Sequence, residues 1–227
     1  MPVDVFTDPD NQALYVAGFR LILGLTGASA VLSLVFGVLL AAMRVSPIPV
    51  LRGFGTLWVN AFRNTPLTLV IFFCYFGLHV NLGLSLSDDL NRENFWLGVT
   101  GLSAYTAAFV CEAIRSGINT VPTGQAEAAR AIGLTFGQML WLIVLPQAAR
   151  AVIAPLGSIF IALTKNSTIV GTIGVLEAAS VMKQALNDYG ATSGIAIFVV
   201  FAGTFVLLLV PTGYLFGWLA KRLAVRR

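Results

Sequence analysis

The chain has 227 residues, 57% hydrophobic and only 11% charged, with a mean hydropathy of +0.86. That is far from the balance of a water-soluble domain and reads as an integral membrane protein. The formal charge of +4 does not indicate nucleic acid, because the basic residues are dispersed rather than gathered on one soluble face.

Residues 1–18 form an expected extracytoplasmic segment. Five apolar stretches follow: Phe19 to Met43, Trp58 to Leu78, Phe95 to Arg115, Trp141 to Leu163 and Ile195 to Leu219. Each is near the ~20 residues that a helix needs to cross about 30 Å of hydrocarbon. The first has no basic region ahead of it and no small-residue cleavage site behind it, so it is expected to be retained. The fold class expected is all-α, with five transmembrane helices and a short basic tail at 220–227.

Orientation follows from basic residues. With the N-terminus outside, Arg44, Arg52, Arg115, Arg130, Lys221, Arg222, Arg226 and Arg227 fall on the cytoplasmic side. Only Arg20, Arg92, Lys165 and Lys183 fall outside. The positive-inside rule therefore selects N-out, C-in. Asp4, Asp8, Asp10, Asp88, Asp89 and Glu93 then lie outside, which is compatible. Trp58, Trp96, Trp141 and Trp218 sit near span ends, as interfacial anchors do. Cys74 and Cys111 lie inside spans and read as buried small hydrophobes, and His79 as an interfacial residue.

Between the first two spans, Ser46, Pro47, Pro49 and Gly53 make a short turn. Arg63 lies just inside the second span, before Asn64, Thr65 and Pro66, where the proline frees a carbonyl and can bend the helix. Arg63 admits two readings: a side chain snorkelling to the inner surface, or one lining the translocation path. Glu112 and Arg115 are placed for a local i, i+3 ion pair.

The segment from Gly124 to Gln147 interrupts the apolar pattern. Helix is expected from Gln125 to Ile132, rich in Ala126, Ala128, Ala129 and Ala131 with Pro122 ahead of it. Gly133 should turn the chain, and a second helical stretch rises into span four. Ala126, Ala129 and Gly133 are expected on one face open to close approach by a partner, with Glu127, Arg130 and Leu134 on the next. Beyond span four, Thr164, Lys165, Asn166, Ser167 and Thr168 form a second polar cluster that can offset the desolvation of an anionic substrate. The apolar run after it is too short to cross and suits a re-entrant or interfacial segment, a candidate gate.

The run E-A-A from Glu127, with Gly133, Ile143 and Leu145-Pro146, resembles the EAA signature of importer permeases of the ATP-binding cassette class. RNTPL, FVCEAIRSGINTVPTGQAEAARAIGL, LPQAARAVIAPLG and ALTKNSTIVGTIGVLEA look like the permease family for polar amino acids, and most like actinobacterial glutamate-uptake permeases. The resemblance implies a type I importer fold whose coupling helix, about 124–140, docks on a cytoplasmic ATPase. The coupling residues would be Gly124, Gln125, Ala126, Glu127, Ala128, Ala129, Arg130, Gly133 and Leu134.

It also implies a second similar permease, two ATPase copies, an extracytoplasmic amino-acid-binding protein and a bacterial cell membrane. The substrate implied is glutamate, with glutamine, aspartate or a basic amino acid as alternatives. No G-x-x-x-x-G-K-[ST] loop occurs in the sequence, so ATP and magnesium are expected on the partner, with no catalytic or metal residues here. An ion-gradient transporter would want mid-span acids or a second hydropathy half, and neither occurs.

Overall fold

The computed structural model describes residues 6–223. Asp4, Arg226 and Arg227 lie outside the described residues. Helix α1, Pro9–Val45, begins well before the expected span because Asp8 caps it, accepting the Asp10 amide at 2.9 Å, with Pro9 pre-set for the first turn. Its 37 residues extend about 54 Å, more than hydrocarbon alone requires.

The second span departs from the expectation of one helix over 58–78. Helix α2, Pro49–Arg63, and helix α3, Leu67–Phe72, which continues as a π-turn over Phe73–Asn81, meet at a bend of 109°. The cause is local. Pro66 has no amide to offer, and the side chains of Asn64 and Thr65 donate to the carbonyls of Asn60 and Ala61 at 2.7 and 2.8 Å, closing off the end of α2. Helix α2 therefore lies across its neighbours, and Trp58 is no interfacial anchor: its indole donates to the Ala104 carbonyl at 3.3 Å and stacks on Phe62. Trp96, Trp141 and Trp218 are exposed, as anchors are.

Helix α4, Leu90–Asn119, is the most buried span and the axis of the fold. Gly24 lies against Phe95 and Gly37 against Val110, so α1 and α4 run parallel. A methyl at Gly37 would stand 2.5 Å from the Val110 side chain, which is why that approach needs glycine. Ile71 packs near Gly101 and His79 beside Glu93, making α3 antiparallel to α4. Beyond α4 come two short helices, α5, Thr123–Ala131, and α6, Phe136–Met139.

A π-turn then leads into α7, Leu145–Asn166, also antiparallel to α4, since Gly117 meets Val152 and Gly98 meets Val170. Among the described residues four helical segments are long and apolar enough to cross a membrane, and the bent pair makes up to five.

After α7 a 3-10 turn, Ser167–Ile173, ends at Gly174 with φ of +90°. Helix α8, Ala178–Leu223, contains the expected fifth span together with the amphipathic stretch before it. It is bent: Ala178 and Val181 pack against Gly18 while Phe201 stacks on Phe19. A straight helix would hold Val181 and Phe201 about 30 Å apart. The helix directions bring Arg44, Arg115, Arg130, Lys221 and Arg222 to one end of the bundle, and Arg92 and Lys165 to the other. That is the partition the charge asymmetry requires.

Candidate functional site

Helices α5 and α6 form an elbow around Gly133, and its stem is the end of α4, closed by Thr120, whose hydroxyl donates to Gly117 O at 2.7 Å. Pro122 then sets the start of α5. The end of α5 is a Schellman motif: the amide of Leu134 bonds Ala129 O and that of Gly133 bonds Arg130 O, both at 3.0 Å, with Gly133 at φ +86°. Thr135 and Gln138 form a capping box that starts α6. Ala129, 2% exposed, is buried with Met139 and Val144, and Ile118, Val121 and Leu134 pack around them. Gln147 donates to Gln125 Oε1 at 2.6 Å, tying α5 to α7. Alanine-rich helix, glycine corner and capped second helix make one wedged unit.

The structure revises which face is open. Ala129 faces the chain's own Met139 and Val144, Ala126 is half-buried beside them, and Gly133 lies past the helix end, so they do not form a shared docking face. The outward face carries Glu127 and Arg130, which with Thr123, Ala126, Leu134, Phe136 and Met139 line an open groove of about 620 Å³. Phe136 of that lining is 68% exposed and Ile132, just before the Gly133 turn, is 78% exposed; neither was singled out from the sequence. An apolar residue at a helix C-cap, as Ile132 is, or just after an N-cap, as Phe136 is, looks like core in sequence; only their exposure on either side of the Gly133 turn shows that these two face outward. Gly124, Gln125 and Ala128 are exposed.

Arg63, the last residue of α2, sits 3.7 Å from Glu112 and 6.0 Å from the Phe109 ring centroid. Glu112 also pairs with Arg44 at the end of α1 and with Arg115 at 3.3 Å. The expected local pair is thus one edge of a four-residue cluster, three guanidiniums on one carboxylate. Arg44 is 68 positions from Glu112, a pairing no local spacing could reveal.

The second polar cluster is elsewhere. Thr164, Ser167 and Thr168 donate to carbonyls of their own segment at 2.8 to 3.0 Å, and Lys165 is exposed. The turn that follows packs at Gly98, about 20 Å along α4 from Glu112. The structure does not bring Arg63 and Lys165 together.

At that far end two carboxylates are buried. Glu93, 1% exposed, accepts the amides of Leu86 and Ser87 at 2.7 Å each and lies 3.1 Å from His79 Nδ1. His79 is therefore a loop tether rather than a plain interfacial residue. Glu177, fully buried, accepts from the amides of Ala179 and Ser180 and from the Ser180 hydroxyl. Burial pushes its carboxyl above the usual range, against the pull of those bonds. Cys74 and Cys111 are buried free thiols, matching their reading as core residues.

Residues 33–225 match the family described as binding-protein-dependent transport system inner membrane component. The glutamate transport system permease protein GluC of Corynebacterium efficiens is 49% identical over 214 residues, covering 92% of this chain and 93% of that one. A Bacillus subtilis chain named as a probable glutamine ABC transporter permease, GlnM, is 40% identical, covering 94% and 95%. In three dimensions the chain superposes on a chain of a crystal structure of an amino acid ABC transporter with histidines, at a TM-score of 0.85 and 26% identity, covering 98% and 100%. The family match and these relatives make it a permease of the ATP-binding cassette importer class, and its long apolar helices are consistent with spanning a membrane. The chain belongs to the family of binding-protein-dependent transport system inner membrane components.

Proposed function

We propose that this chain carries an acidic amino acid, glutamate, across the bacterial cell membrane, with the α5–α6 elbow docked on a cytoplasmic ATPase. The supporting observation is the elbow itself: a Schellman turn and a capping box hold two helices as one body wedged against α4 and α7, with Glu127 and Arg130 outward. A flexible loop would absorb a push from the ATPase, whereas a capped and packed one transmits it to the spans.

The complete importer in this reading pairs the chain with a second similar permease, two ATPase subunits that bind ATP and magnesium, and an extracytoplasmic binding protein. This subunit performs no catalysis and holds no cofactor. Arg63 with Asn64, Thr65 and Pro66 supports the path at the α2–α3 bend, and Thr164 to Thr168, with Lys165 exposed, serve it near the outer end. Support for glutamate comes from the relative named for it; the glutamine-named relative keeps glutamine as the second reading.

Two experiments test this. The ATPase should co-purify with the chain, and Glu127→Arg should abolish its retention; uptake that persists without any ATPase and follows the proton gradient would end the reading. Competition of labelled glutamate uptake by glutamine, aspartate and arginine in a deletion strain assigns the substrate. Aspartate competing strongly with glutamine inert is the outcome expected; glutamine competing best would move the assignment to it.

A further inference from the structure

Glu112 stands where the stem of the elbow meets the bend of the second span. It lies two turns before the end of α4, the stem that runs through Thr120 and Pro122 into the elbow. Arg63, which it faces at 3.7 Å, is the last residue before the 109° bend of the second span. The third contact, Arg44, closes α1, and a side chain added at Gly55 of α2 would strike Arg44 Cγ at 2.8 Å, so α1 and α2 are pressed together at the same point.

The four groups are not held alike. Arg44 and Glu112 are the sheltered pair, with side chains 12% and 23% exposed, while Arg63 and Arg115 are 46% and 41% exposed. Arg63 is at ion-pair range without a hydrogen bond, a contact that can be made and broken cheaply. One carboxylate restrains three cations that repel one another, so its position decides where all three settle. We infer that Glu112 is a positioning residue for transport: it ties the stem of the elbow to the bend of the second span, so that displacement of α5 and α6 changes the angle between α2 and α3. This rests on the reading that the elbow docks on the ATPase.

The assembled importer, reconstituted in proteoliposomes with its binding protein, allows uptake and ATP hydrolysis to be read together. Glu112→Gln keeps the shape and removes the charge. The complex should still retain its ATPase, while substrate taken up per ATP falls about tenfold and Glu112→Asp recovers part of it. Arg63→Gln should lower uptake per ATP by about threefold without changing the half-saturating concentration of loaded binding protein.

A merely structural role predicts lower yield or melting temperature with uptake per ATP unchanged, and that result overturns the inference. Should Glu112→Gln fail to assemble, Arg63→Gln and Glu112→Asp decide: coupling equal to that of the unaltered importer refutes it. An unaltered chain that retains no ATPase refutes the docking reading itself, before any variant is compared.

Discussion

Helix α4 carries an acid near each end, Glu93 buried and Glu112 partly exposed, and the two are satisfied in opposite ways. Glu93, in the first turn, is held by backbone amides of the adjacent loop at 2.7 Å. Glu112, near the last turn, is held by guanidiniums reaching in from α1, α2 and α4 itself. Amide contacts within a few residues fix a loop and leave no alternative partner, so the outer end is built to stay. Long side chains from separate helices can trade partners, so the inner end is built to move. The difference teaches that burial of a carboxylate says little about its role until the identity of its donors is known.

The largest effect expected is on the static end. Glu93→Ala should remove about 3 kcal/mol of stability, since it strands the two loop amides it accepts from. Thermal unfolding in detergent measures it, and importers that survive should move as much substrate per ATP as before. A coupling defect at unchanged stability would erase the contrast between the ends.

Next is Gly37→Ala, where the added methyl meets Val110 at 2.5 Å. The parallel contact of α1 and α4 should lose about 1–3 kcal/mol by overpacking. Gly133→Ala should cost about 1 kcal/mol at φ +86° and loosen the elbow, seen as weaker ATPase retention with helix content unchanged.

The smallest effect concerns Glu177. Its folded-state pKa is raised, so the stability it contributes is fully present below about pH 4.5, the ordinary value, and is lost as pH rises through the raised value. Across that interval the melting temperature of the unaltered chain should fall relative to Glu177→Gln; parallel curves would show no such titration.

Much of this fold was legible in sequence because its signals are local. Apolar length marked the spans, Pro122 and Gly133 marked the elbow, and Pro66 marked a bend. What local signals could not supply was direction. Nothing within a few residues of Pro66 states that α2 turns by 109° to lie across α4, or that Trp58 thereby reaches Ala104. The Arg44–Glu112 and His79–Glu93 pairs join separate elements, and the bend of α8 is enforced by Gly18 and Phe19 at the other end of the chain. The alanine face illustrates the same limit. Its periodicity was visible, yet only the packing of Met139 and Val144 decides that Ala129 points inward.

The elbow's environment is the most direct test. An Arg130→Cys variant, with Cys74 and Cys111 buried, can be labelled from either side of the membrane and cross-linked in the assembled importer. The account predicts labelling from the cytoplasm alone and a cross-link to the ATPase. Labelling from the exterior, or a thiol at this position that meets only lipid or solvent in the full complex, would contradict it.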